Sequence, residues 1–149
     1  MEERFETFTV LMTKISRYIH KIKSEEMSAF FLKGPHVSCL YYLYKEQTLT
    51  AKALCDICEE DKGAVSRSVE YLEENGYIAC NSTAKKRYNA AFVLTEKGRD
   101  VAEKIAQKID TVLDQAGKGL AQTERENMYK SLSLVCDNLQ KICQKYGEE

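Results

Sequence analysis

The sequence predicts a mainly α-helical fold with one small β-hairpin, and three observations carry that expectation. Stretches at both ends of the chain repeat apolar side chains at three- and four-residue spacing, the signature of amphipathic helices. Between them lie shorter helical segments, punctuated by capping residues, by Gly34-Pro35 and by Gly76. After Gly76 the periodicity changes to two short extended runs around a polar segment.

Taken in order, residues 5–24 carry Phe5, Phe8, Leu11, Met12, Ile15, Tyr18, Ile19 and Ile22 on one helical stripe. The chain breaks at Gly34-Pro35, where proline suits a first helical turn because its missing N–H has no intrahelical partner there anyway. A second helix is expected to run to about Glu46. Thr50 offers a hydroxyl cap to a short third helix with Leu54, Ile57 and Cys58 on its inward face. Asp61 caps a fourth after the turn Glu59-Glu60, and Ala64 stands where a capping box would need Glu or Gln. This fourth helix buries Val65, Val69 and Leu72, and Gly76 supplies a left-handed stop. Tyr77 to Cys80 and Ala91 to Leu94 then pair as a hairpin around residues 81–89. Thr95 caps a fifth helix with the stripe Val101, Ile105, Ile109, Val112 and Leu113. Gly117, Gly119 and Thr123 mark a turn and a new cap, and the last helix buries Met128, Leu132, Val135, Leu139 and Ile142.

With 149 residues, 44% of them hydrophobic and 30% charged, the chain is expected to be one globular domain with its own core. No apolar run approaches the roughly 20 residues needed to span a bilayer, and the start MEERFETF lacks the order of a signal peptide. These features predict a cytoplasmic protein without a membrane partner, whose six cysteines are reduced thiols. The net charge of −1 opposes a nucleic-acid reading at first sight, because affinity for DNA comes largely from neutralised phosphates. Whole-chain charge, however, hides where the charges sit.

Three helices followed by a two-stranded hairpin, with a short polar turn between the third and fourth helices of the chain, make a winged helix-turn-helix core over residues 34–95. Residues 1–33 and 96–149 are then long flanking helices. A helix over residues 96–116 would be about 30 Å long, more than such a core needs, so a second copy of the chain is expected to cover the terminal stripes in a homodimer. The fourth helix exposes Lys62, Gly63, Ser66, Arg67 and Glu70 opposite its apolar face. Such a face fits the major groove of double-stranded DNA, where arginine reads guanine and serine meets phosphate or base edges. The hairpin tip adds Lys85-Lys86-Arg87-Tyr88, and no acidic residue lies between Glu74 and Glu96, so the local field there is positive.

The stretch KGAVSRSVEYLEENGYI, followed by a basic loop and then FVLTEKG, resembles the recognition helix, wing and Leu-Thr-x-x-Gly dimerisation-helix start of the MarR (multiple antibiotic resistance repressor) family. The resemblance is specific over residues 50–98 and architectural elsewhere. It implies a recognition helix in the major groove carrying Ser66 and Arg67, a wing arginine in the minor groove for which Arg87 is the best candidate, and interlocked terminal helices. One departure stands out: the family often has an aspartate just before its wing arginine, and Lys86 occupies that neighbourhood here.

Other signals carry less. Cys55-x-x-Cys58 has no second pair and no paired histidines to complete a zinc site, so it reads as buried thiols on a short helix. Cys136 and Cys143 lie beside the last apolar stripe and read as packing residues. His20 and His36 have no partners in metal-ligand spacing, and no cofactor or metal is expected. Tyr41, Tyr42 and Tyr44 read as helix packing, with His36 and Tyr41 the candidates should the second helix line a pocket for a small-molecule effector. No serine-histidine-acid order, phosphate loop or carboxylate pair appears, so no enzyme is expected. The sequence therefore points to a DNA-binding transcriptional regulator, a ligand-responsive repressor that meets a palindromic operator as a homodimer. A winged-helix module that binds only protein, and a thiol- or metal-sensing regulator, are the competing readings.

Overall fold

Apolar side chains at helical spacing, interrupted by caps and glycines, divide the chain into helices where the periodicity predicts them. The computed structural model describes residues 2–58, 61–81 and 89–146. A single helical turn at Glu2–Arg4 and a π-helical stretch at Phe5–Val10 lead into α1 (Leu11–Ser28). Then follow α2 (Gly34–Glu46), β1 (Thr48–Thr50), α3 (Ala51–Cys58), α4 (Lys62–Glu74), β2 (Ile78–Cys80), β3 (Ala91–Leu94), α5 (Glu96–Ala116) and α6 (Gln122–Gln144). The mainly helical class with a small sheet is as expected.

The chain forms two compact units, Met1–Ile109 and Asp110–Glu149. In the first, the core gathers Val37, Leu40 and Leu43 of α2, Leu54 of α3, Val65, Val69 and Leu72 of α4, Phe92 of β3 and Ile105 of α5. Each of these is essentially removed from solvent. Full burial of such a side chain contributes about 1.5–3 kcal/mol, so this cluster dominates the stability of the unit. Lys108 and Glu26 add an ion pair at the surface, worth at most about 1 kcal/mol in water.

The sheet is larger than a hairpin. Its order is β1-β3-β2, all antiparallel, with Ile78 opposite Leu94 and Cys80 opposite Phe92 on one side of β3, and Thr48 opposite Val93 and Thr50 opposite Ala91 on the other. The third strand leaves no signal in the sequence, because three residues show no periodicity and β1 exists only through its pairing with a strand more than forty residues away.

Two local expectations are corrected. On α3 the inward residues are Ala51, Leu54 and Cys55, with Cys58 half-buried, whereas Ile57 is 37% exposed. Positions i, i+3, i+4 and i+7 from Ala51 share one helix face, and Ile57 falls outside it. The cap of α6 is Ala121 and not Thr123. The Glu124 carboxylate accepts the Ala121 backbone N–H at 2.7 Å, so the acceptor comes from the third helical residue.

In the second unit, the turn between α5 and α6 packs an arginine on a glycine. Arg125 Nη1 donates to Asp114 Oδ1 at 2.9 Å, and a Cβ on Gly117 would lie 3.0 Å from Arg125 Nε. Met128, Leu132, Leu139 and Ile142 of α6 are each more than a third exposed in the single chain. Phe8, Leu11, Ile15, Ile19 and Ile22, along the first helical segments of the other unit, are likewise exposed.

Candidate nucleic-acid interface

Two caps set the helix-turn-helix. Thr50 Oγ1 accepts the Ala53 N–H at 3.1 Å at the start of α3, and Asp61 Oδ1 accepts the Ala64 N–H at 2.9 Å at the start of α4. On α4, Val65, Ser68, Val69 and Leu72 turn inward. The Ser68 hydroxyl is satisfied on its own helix by donating to the Ala64 carbonyl at 2.9 Å. The outward face presents Lys62, Ser66, Arg67 and Glu70 to solvent, with Gly63 half-covered. Arg67 makes no ion pair with any described residue. The structure thus brings Lys62, Gly63, Ser66 and Arg67 onto one accessible face of one helix.

Side chains that the sequence did not single out for DNA hold that helix in place. The Tyr71 ring of α4 stacks on His36 of α2, centroids 4.3 Å apart and planes within 3°. The Tyr71 hydroxyl donates to the Phe31 carbonyl at 3.1 Å, in the turn between α1 and α2. His36 Nδ1 in turn accepts the Lys33 backbone N–H at 3.1 Å, so His36 closes the first turn of its own helix and supports α4. Burial lowers the pKa of His36 below the usual histidine value, and the neighbouring Lys33 charge lowers it further. The sequence signal was the position of His36, three residues after the helix cap, where a side-chain acceptor reaches back to the cap N–H.

At its far end α4 stops in a Schellman motif. Gly76 adopts φ +72°, Tyr77 N–H donates to the Leu72 carbonyl at 2.8 Å, and Gly76 N–H donates to that of Glu73 at 3.0 Å. The wing stem follows, with the Thr95 hydroxyl accepting the Gly98 N–H at 3.0 Å and donating to the Gly76 carbonyl at 2.7 Å. Lys97 Nζ donates to the Asn75 carbonyl at 2.7 Å and sits 4.1 Å from the Tyr77 ring centroid. The stem is therefore locked to the end of α4. The tip residues Lys85, Lys86, Arg87 and Tyr88 lie outside the described residues.

His36 and Tyr41, the candidates for an effector pocket, are both on α2. The ring contact of His36 is to Tyr71, and that of Tyr41 is to Tyr42 at 5.4 Å in an edge arrangement. A cavity of about 410 Å³ opens beside the start of α2, lined in part by Lys23, Ser28, Leu32, Lys33 and Pro35. Neither His36 nor Tyr41 is in its wall. Cys39 and Cys55 are buried and Cys58 is half-buried, while Cys80, Cys136 and Cys143 are exposed. Among the described residues no cluster of three or more His, Cys, Asp or Glu is placed to hold a metal ion, and no helix is long and apolar enough to cross a membrane.

Residues 36–113, more than half of the chain, match the family described as winged helix DNA-binding domain. The chain belongs to that family. No curated protein matches the chain. Solved structures do. A MarR family transcriptional regulator from Listeria monocytogenes, complexed with 26mer DNA, superposes with a TM-score of 0.81 at 23% identity, covering 89% of this chain and 88% of that one. The S. aureus MepR–DNA complex gives 0.77 at 20% identity, covering 90% and 97%. A MarR family regulator from Neisseria meningitidis gives 0.75 at 19% identity, covering 93% and 97%. This winged-helix chain has the fold of the MarR regulators along nearly its whole length.

Proposed function

We propose that this winged-helix protein is a transcriptional regulator that binds a palindromic operator in double-stranded DNA as a homodimer, and that a small-molecule effector controls its repression. The observation that carries the reading is the outward face of α4. Lys62, Gly63, Ser66 and Arg67 line that face on the second helix of a capped helix-turn-helix, opposite a fully buried apolar stripe. A helix seated this firmly can present an arginine fork to base edges without losing its own packing. The Listeria and S. aureus relatives were solved with DNA, which supports the same assignment.

Lys85, Lys86, Arg87 and Tyr88 enter the proposal from sequence as the wing contacts, Lys86 on phosphate and Arg87 in the minor groove. The exposed apolar residues of α6 and of the first helical segments are the surfaces that a second copy would cover. The effector, in this reading, enters where α1 meets α2. A cavity of about 410 Å³ there supports a pocket at that place, although neither His36 nor Tyr41 lines it.

Titration of the full-length chain against a selected palindromic duplex and a scrambled one, at several salt concentrations, tests the proposal. Arg67→Ala is expected to cost about 1–3 kcal/mol for each base edge it no longer reads and to relax preference at one position in each half-site. Lys86→Ala is expected to weaken both duplexes equally and to reduce the salt dependence by roughly one unit for each phosphate left without its lysine. Unchanged binding in both variants, or a wild-type chain that binds neither duplex, sinks the reading in favour of a protein-docking module.

A further inference from the structure

Gly63 is the second residue of α4, inside a helix, where glycine is less favourable than alanine. Its backbone does not demand glycine, because the positive-φ glycines are Gly76 and Gly119. Its surroundings do. A Cβ at Gly63 would lie 3.0 Å from Asp61 Oδ1 and 3.3 Å from Arg67 Nη1, with Arg67 Cζ at 4.0 Å. The Asp61 oxygen is already engaged, accepting the Ala64 N–H at 2.9 Å. Arg67 Nη1 therefore lies beside the space that a Cβ on Gly63 would fill, one turn toward the helix N-terminus, the direction in which helical side chains lean.

We propose that Gly63 is a specificity-determining position: lacking a Cβ, it leaves the Arg67 guanidinium room along the first turn of α4, and so decides which base edge the arginine meets. The inference rests on the reading that α4 enters the groove. An arginine fork recognises guanine only when both donors lie in the plane of the base edge, so its approach direction carries information that its charge does not. Alanine at this position presses on two side-chain ends, the Asp61 cap oxygen and the Arg67 guanidinium, so a thermal melt is needed to separate positioning from a disturbed cap.

The experiment uses four full-length chains: wild type, Gly63→Ala, Arg67→Ala and the double variant. Each is titrated against the selected and scrambled duplexes at one salt concentration and melted thermally. Gly63→Ala is expected to melt within about 2 °C of wild type, since loss of the Asp61 cap would cost roughly 1 kcal/mol and lower the midpoint further. Its discrimination between the duplexes is expected to fall roughly tenfold, with no further fall when Arg67 is already alanine. Equal losses with and without Arg67 overturn the proposal and assign Gly63 to direct backbone approach by DNA. If Arg67→Ala loses discrimination while Gly63→Ala keeps it, this inference alone falls. If Arg67→Ala keeps it, the reading of α4 falls as well.

Discussion

A Cβ on Gly98 would lie 1.8 Å from the Tyr77 carbonyl oxygen, a separation no real structure tolerates, so α5 touches the start of the wing only because this residue has no side chain. The obstacle is backbone and cannot swing aside. Gly98→Ala is therefore expected to destabilise the chain by about 2–4 kcal/mol, read as a lower urea midpoint at unchanged slope; a loss under about 0.5 kcal/mol would contradict the close approach. His36 makes a second prediction at this scale. Burial and the Lys33 charge lower its folded pKa below the ordinary histidine value of 6.5, so the fold favours the neutral ring. Its contribution is fully present above the unfolded pKa and is lost as pH falls through the lowered folded value. Protonation at Nδ1 also removes the acceptor for the Lys33 N–H. The stability advantage of wild type over His36→Gln is expected to shrink between about pH 7.5 and about pH 5.5 in urea titrations. An advantage that stays constant over that range would show that His36 does not titrate with unfolding.

Among the elements, α4 depends on its ends as much as on its apolar face. Asp61→Ala removes the acceptor for Ala64 N–H and is expected to cost about 1 kcal/mol, read from urea unfolding. Asp61→Asn should recover most of that stability, since asparagine caps nearly as well. At the opposite end, the Schellman bonds to Gly76 and Tyr77 deliver the chain directly into β2. Because Thr95 and Lys97 bind the same turn, wing stem and recognition helix share one anchor.

At the scale of the whole molecule, the apolar residues left exposed on α6 repeat at Met128, Leu132, Leu139 and Ile142, with half-buried Val135 among them, at alternating spacings of three and four. Sedimentation equilibrium at micromolar concentration is expected to give a dimer, and Leu132→Glu with Leu139→Glu is expected to give monomer or aggregate with lost operator affinity. A wild-type monomer that still binds a palindromic site tightly would remove the proposed homodimer.

The sequence by itself determined the helices, their caps at Thr50, Asp61 and Thr95, the stop at Gly76 and the outward set Lys62, Gly63, Ser66 and Arg67. All of these are local: a cap is a bond to an N–H two or three residues away, and an exposed face is the complement of a buried stripe with period 3.6. Tertiary structure alone decided the rest. β1 forms because Ala91 to Leu94 offers it a partner. Cys55, rather than Ile57, turns inward because the core meets α3 on the Ala51–Leu54 side. His36 became the brace of α4 because folding carried Tyr71 onto its ring, 35 residues along the chain, and a pairing at that distance leaves no periodic trace in the sequence.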